Sequence, residues 1–276
     1  MIIHSDWHIH SEYSYDALNP LSLIAENAKE QGLRFVGITD HLNYNDGKFW
    51  RDLRASAAGV KEAQKKYPFM VLGVELTPIA KPQFDYVKKT GTRVGYEAPT
   101  EGFPFAIELA ASKAELKALG VRYAIGASHW RVDCPGASAL DRDACIKEWY
   151  RQQMYLANDE RVTILGHPWY HGKGLWYEDF DLIPRGMKDD LAAALKENGK
   201  YVECNAHFFQ TAKATETFRH QYAEYLRGMF ETGIPVTYGS DAHNGYADDR
   251  PIVEKYLSAA GFRDGDIVGI DENDLW

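Results

Sequence analysis

Six of the ten histidines in this chain stand directly after a short apolar run, and three carboxylates stand with them. His8 and His10 follow Met1–Trp7, which reads as an opening strand. Two residues apart on a strand, they point to one face and can chelate a single ion. Asp16 comes next, in a Tyr13-Ser14-Tyr15-Asp16 turn able to fold back over the strand end. His41 closes Leu33–Thr39, Glu75 closes Phe69–Val74, His129 closes Val121–Ala127, and His167 closes Val162–Gly166. Asp241 and His243 close Pro235–Gly239. Imidazole and carboxylate together are the ligands of divalent transition metals. A lone His-x-His also has a bland reading, polar residues on a solvent-facing strand. Nine metal-ligating groups at equivalent strand ends are hard to explain that way.

The elements that must position these residues alternate strand with helix about seven times. Leu21–Gln31 has apolar residues at Leu21, Ile24, Ala25 and Ala28, a helical period, with Gly32 at its end. Val60–Lys66 carries the end of a second helix. Ser112–Leu119 opens with Ser112 as N-cap and Glu115 at the capping-box position. Further helices are expected over Asp141–Asn158, Lys188–Asn198, Thr217–Thr232 and Pro251–Ala260, and a strand over Lys200–Cys204. Such alternation predicts the α/β class, a parallel sheet with helical crossovers. No strong boundary interrupts it, so one closed or nearly closed barrel over residues 1–276 is expected. In such barrels the carboxyl ends of the strands converge on one face, where active sites sit. Pro78–Pro104 is less regular and is placed as an excursion over one end, a lid or a decoration, with a hairpin around Thr90–Tyr96.

Bulk properties exclude several classes. At 45% hydrophobic and 26% charged the composition is that of an ordinary globular protein. A net charge of -9 is a poor footprint for coating a phosphate backbone, so no extended nucleic acid is expected as a partner. Cys134, Cys145 and Cys204 are widely spaced and form neither a disulfide framework nor a zinc ribbon. No run is apolar for long enough to span a bilayer and no signal-peptide pattern is present, so a cytoplasmic location without membrane partners is expected.

The motifs His8-x-His10 with Tyr13-Ser14-x-Asp16, Thr39-Asp40-His41, Gly73-Val74-Glu75, Gly126-x-Ser128-His129, Gly166-His167-Pro168 and Gly239-Ser240-Asp241-x-His243 together resemble those of the PHP family. That family groups histidinol phosphate phosphatases, phosphoesterase modules of bacterial replicative polymerases and related phosphatases. The resemblance covers nearly the whole chain. It implies a distorted seven-stranded (β/α) TIM-like barrel with a trinuclear metal centre at its C-terminal rim. It also implies a division of ligands. His8 and His10 would hold a first ion with Glu75 and Asp241. Glu75 would bridge to a second ion held by His129 and His167. Asp16, His41 and His243 would hold a third. The cofactors expected are two or three divalent ions of manganese, iron or zinc.

The chemistry that follows is hydrolysis of a phosphate ester. Clustered dications neutralise the phosphoryl oxygens and acidify a water. Glu75 and Asp241 are the candidate catalytic carboxylates, and His207 is a candidate acid or base. Arg131, Lys213 and His207 are candidates for binding the substrate. Asp40 is expected to orient an imidazole. Trp130, Trp169, Tyr170 and His171 are read as a substrate wall or a cap on the barrel, and His4 and His220 as surface or packing residues. The leading expectation is a phosphatase for a small phosphomonoester, with histidinol phosphate the best single candidate. A nucleotide or oligonucleotide phosphoesterase is the alternative. A metal-dependent amidohydrolase is disfavoured by Glu75 in place of a bridging lysine and by the final Asp241-x-His243. A non-catalytic metal-binding module has no need of nine polar residues at one rim.

Overall fold

A computed structural model describes residues 3–80, 107–129, 142–169 and 178–276. Among these, seven parallel strands run in the order β1 (Ser5–Ile9), β2 (Phe35–Ile38), β4 (Met70–Leu76), β7 (Tyr123–Gly126), β8 (Ile164–Leu165), β9 (Tyr201–Asn205) and β10 (Val236–Gly239). A two-residue strand, β3 (His41–Leu42), adds to the end of β4 and sets His41 opposite Glu75. The ring closes between β10 and β1 at the carboxyl end. Asp241 N donates to His8 O at 2.7 Å, and His10 N donates to Ala242 O at 3.1 Å. The result is a nearly closed α/β barrel, as the alternation of elements predicts.

The helices form where the sequence periodicity puts them. Leu21–Glu30 buries Leu21, Ile24, Ala25 and Ala28 against the sheet. Lys113–Ala118 carries the reciprocal capping box of Ser112 and Glu115. Helix Gly47–Ala63 is capped by Asp46, which accepts from Lys48 N, and its end falls within Val60–Lys66 as expected. Helix Glu216–Glu231 is capped by Thr215, and Arg185–Glu197 begins three residues ahead of Lys188. Helices Arg142–Asn158 and Arg250–Ala259 match their expected positions. None of the described helices is long and apolar enough to cross a membrane.

Inside the barrel, below the rim, Trp7, Tyr123, Ile125, Ile164, Tyr201 and Ile270 form a packed plug. Tyr123 crosses it, its hydroxyl donating to Trp7 O at 2.6 Å, over Gly37 and Gly73, where an added Cβ would collide with its ring. The opening strand differs from the expected Met1–Trp7: it continues to Ile9. Its pairing with β2 slips between Asp6, opposite Val36, and Ile9, opposite Ile38. One extra residue sits on β1. A bulge of this kind re-aims side chains, and here it lets Trp7 join the plug while the adjacent His8 also faces the ring interior. At the base of the excursion, β5 (Ile79–Ala80) pairs antiparallel with β6 (Ile107–Glu108). The hairpin expected around Thr90–Tyr96 lies outside the described residues.

Candidate metal centre

All nine expected ligands converge at the carboxyl rim. His8 Nε2 and His10 Nε2 face each other at 3.1 Å. Glu75 Oε2 is 3.5 and 3.3 Å from them, and Asp241 Oδ1 is 3.4 and 3.3 Å. The other oxygen of Glu75 faces His129 Nε2 at 3.3 Å and His167 Nε2 at 3.1 Å. Asp16 Oδ2 lies 3.3 Å from His41 Nε2 and 3.6 Å from His243 Nε2. The ring of His10 is stacked between those of His41 and His243, with centroids 4.3 and 4.1 Å away.

These positions follow from the local fold. The turn after β1 is tied by Ser14 N to Ser11 O, and Ser14 Oγ donates to Asp16 Oδ1, which folds Asp16 back over the strand end. Glu75 sits on β4 opposite Ile125 of β7 and His41 of β3. His167 and Asp241 adopt positive φ, 24° and 56°. Such backbones cost about 1–3 kcal/mol each and persist where the surroundings over-determine them. Asp241 is held by its backbone bond to His8, and His167 N donates to Glu203 Oε2.

The charges are mutually dependent. Burial pushes the Glu75 carboxyl up, but the rings of His41, His129 and His8 hold it well below the usual carboxylate range. Asp241 is likewise held low against burial by His8, His10 and His243, and Asp16 by His41 and its neighbours. Burial pushes His8 and His10 down, yet the carboxylates around them raise both. His41 is raised to about 10 by Glu75 and Asp16 against the same opposition. His129 and His243 fall to about 3 and about 4, through burial first and neighbouring imidazoles after it. The carboxylates thus favour protons on His8, His10 and His41 when no ion is bound.

The donor set fits divalent metal ions. Buried Glu75 Oε2 has no aligned hydrogen-bond donor, although three imidazole nitrogens stand within 3.5 Å of it. His8 Nδ1 donates to Glu203 Oε1 at 2.7 Å, which makes Nε2, the nitrogen turned toward His10, the one available to an ion. His129 Nδ1 donates to Thr77 Oγ1 at 2.9 Å, and Thr77 passes its own proton to Asn43 Oδ1 at 2.6 Å. Both rings are thus fixed with Nε2 turned toward Glu75 as the nitrogen that would ligate.

Several expectations are corrected. Asp40 orients no imidazole: it accepts from Ser11 N, Ser11 Oγ and Ser56 Oγ and so pins the turn after β1. The partner of His8 is Glu203, which the sequence reading passes over. An acid in the middle of the apolar strand Val202-Glu203-Cys204 is the signal that could have found it. Trp169 forms no substrate wall. It is buried, its backbone N–H donating to the Gln153 amide oxygen and its Nε1–H to the Tyr225 hydroxyl. His207 begins the short helix His207–Gln210, half-buried, with its N–H on Asn205 Oδ1. Burial, His167 and Lys213 depress His207 while Asp241 opposes them. Lys213 is exposed nearby. Arg131, Trp130, Tyr170 and His171 lie outside the described residues. His4 pairs with Asp264, and exposed His220 meets the edge of Tyr256, both away from the rim.

A (β/α) barrel with a histidine and carboxylate donor set at its carboxyl rim is the class that fold and site define. The chain belongs to the PHP domain family, whose profile matches residues 6–207. The match spans His8 to Glu203, while Asp241 and His243 join the cluster from beyond it. Among solved structures, a histidinol phosphate phosphatase from Lactococcus lactis subsp. lactis, complexed with zinc, L-histidinol and phosphate, is similar with a TM-score of 0.66. The two are 16% identical over 100% of this chain and 99% of that one, a likeness of fold. An amidohydrolase from Pseudomonas aeruginosa has a TM-score of 0.45 and 12% identity, covering 95% of this chain and 90% of that one. No curated protein matches the sequence.

Proposed function

We propose that this protein is a metal-dependent phosphatase that hydrolyses a small phosphomonoester at a centre of two or three divalent ions, with histidinol phosphate the first substrate to test. The observation that carries the reading is Glu75, fully buried, with one oxygen among His8, His10 and His41 and the other between His129 and His167. A carboxylate so placed would bridge two ions and fix their spacing. Membership of the PHP family and the zinc- and phosphate-bound barrel of similar fold support the same reading.

His8, His10, Glu75 and Asp241 would hold the first ion, Glu75, His129 and His167 the second, and Asp16, His41 and His243 the third. Manganese, iron and zinc all suit this donor set. Once bound, such ions neutralise phosphoryl oxygens and acidify a water near neutral pH. The chain's own residues do the rest. Glu203 and Thr77 hold two imidazoles in the ligating tautomer. Asn205 Nδ2 donates to Asp241 Oδ2 at 3.3 Å and aims that carboxylate. His207, lowered below the usual imidazole value, stays neutral at pH 7 and accepts a proton or a hydrogen bond better than it supplies a proton. Lys213 and Arg131 would carry cations to the substrate's phosphate.

The test is release of inorganic phosphate from a set of phosphorylated metabolites, with protein loaded in turn with manganese, iron and zinc. Turnover of a phosphomonoester that disappears in Glu75→Gln is the expected result. Cleavage of nucleotides alone would retain the centre and replace the substrate. A fully loaded protein that cleaves no phosphate ester would sink the phosphatase reading.

A further inference from the structure

We infer that Glu203 is a positioning residue shared by the first and second ion sites, one carboxylate oxygen fixing the ring of His8 and the other the backbone of His167. The inference rests on the function proposed above and goes past it, since Glu203 is outside the ligand set.

Glu203 lies mid-strand on β9 and is 1% exposed. A carboxylate buried there is costly unless its lone pairs are used. Each oxygen is used. Oε1 accepts from His8 Nδ1 at 2.7 Å; Oε2 accepts from His167 N and, at 3.3 Å, from Asn205 Nδ2. His8 belongs to the first site and His167 to the second. Their separation is therefore set by the width of one carboxylate as well as by Glu75. The same Asn205 amide also reaches Asp241, so a second ligand of the first site is tied to the group.

Two features outside this network point the same way. Gly239 on β10 has no room for a side chain. A Cβ there would overlap Glu203 Oε1 and lie 2.6 Å from the Cβ of His8. The glycine thus leaves space for the His8–Glu203 pair. His167 holds a φ of 24°, which few non-glycine residues adopt, and its N–H is the group that Glu203 grips. The contrast with His129 sharpens the role. His129 is backed by the neutral hydroxyl of Thr77, His8 by a carboxylate. A carboxylate behind an imidazole strengthens it as a metal donor. The first site should then bind its ion most tightly, and Glu203 should be a cause.

Glu203→Gln preserves size but breaks the pattern. Whichever way the amide turns, its NH2 faces either the N–H of His8 or the N–H of His167. Chelator competition with zinc should show the tightest ion weakened by about 10–100-fold. The weaker steps should change less, and kcat should fall with KM for the phosphate ester nearly unchanged. Unchanged affinities would overturn the inference. So would an equal loss at every step with a lower melting temperature of the chelated, ion-free protein, which marks a merely structural role. Should the variant not fold, cobalt-loaded wild-type protein labelled with 15N-histidine gives the answer. The Nδ1–H of His8 should appear as a shifted signal that exchanges slowly in D2O. Absence of a proton on that nitrogen overturns the assignment. A wild-type protein that takes up no ion would remove the metal reading itself, a result distinct from either failure of Glu203.

Discussion

The inner and outer parts of the cluster are built differently. His8, His10 and Glu75 are sealed, with side chains 0% exposed, and they come from strands or their immediate ends. Asp16 and His243 are 33% and 27% exposed and come from turns beyond β1 and β10. The inner residues are over-determined: a bulge in β1, the β3–β4 register and the Glu203 carboxylate all fix them. The outer pair is held by Ser14 Oγ on Asp16 and by the Asp241 carbonyl facing His243 Nδ1 at 2.8 Å. A buried, charge-backed site binds an ion tightly and releases it slowly. A solvated, neutral-backed one exchanges it. Under the proposed assignment the same imidazole and carboxylate chemistry would therefore yield one tightly held and one labile position, set by depth in the barrel.

Removing the shared inner acid should have the largest effect. Glu75→Gln takes away the charge opposite five imidazoles and should lower kcat by roughly 10³-fold or more, on the scale of losing an essential electrostatic group. Steady-state phosphate release checks this, and a variant with near-normal kcat would erase the distinction between inner and outer acids. Asp16→Asn touches only the outer position. It should reduce bound metal by one equivalent in elemental analysis while leaving the inner ions in place. Loss of all metal together would mean that the positions are one cooperative unit.

Proton release reports on the same contrast. Against the pull of burial, nearby carboxylates keep His8, His10 and His41 above the ordinary imidazole value, His41 at about 10. These rings hold their protons more tightly than an ordinary imidazole does, and incoming ions must displace them. Metal uptake should therefore release protons, and affinity should fall as pH falls. Calorimetric titration in two buffers of different ionisation enthalpy measures the release, and a net release of zero would contradict the charge balance described for the ion-free cluster. Smaller still is Lys213→Met, which should raise KM for a phosphate ester several-fold with little change in kcat. The smallest effect is expected for His220→Ala. Its ring meets only the edge of Tyr256 among the described contacts, and thermal melting should place the change within about 0.5 kcal/mol.

The convergence of these residues was legible because nearly all of them lie where an apolar run stops, and in a parallel barrel every such stop faces one rim. Asp16 was legible for a local reason, since the Ser14 turn is encoded within a few residues. What escaped depends on register between distant segments. The bulge between Asp6 and Ile9 exists only against β2, and β3 is a strand only because His41 and Leu42 meet β4. Glu203 reads as one more acid until β9 is placed one strand away from β1, with only β10 between them. Asp40 was misjudged through its neighbour in sequence, His41, when its partners are Ser11 and Ser56. Trp169 looked like part of a loop wall, but Gln153 and Tyr225 draw it into the core.

The seam between β10 and β1 has a consequence for how the protein is made. By the time a ribosome has released His167, every donor assigned to the second ion has been synthesised. The first ion still lacks Asp241 and the third lacks His243, because both follow the strand that closes the ring. A nascent chain would then hold only part of the assigned donor set, and the rest would arrive when β10 meets β1. The backbone bonds joining His8 and His10 to residues 241 and 242 form at that same moment. Under the proposed ligand assignment, full metallation would therefore wait on ring closure.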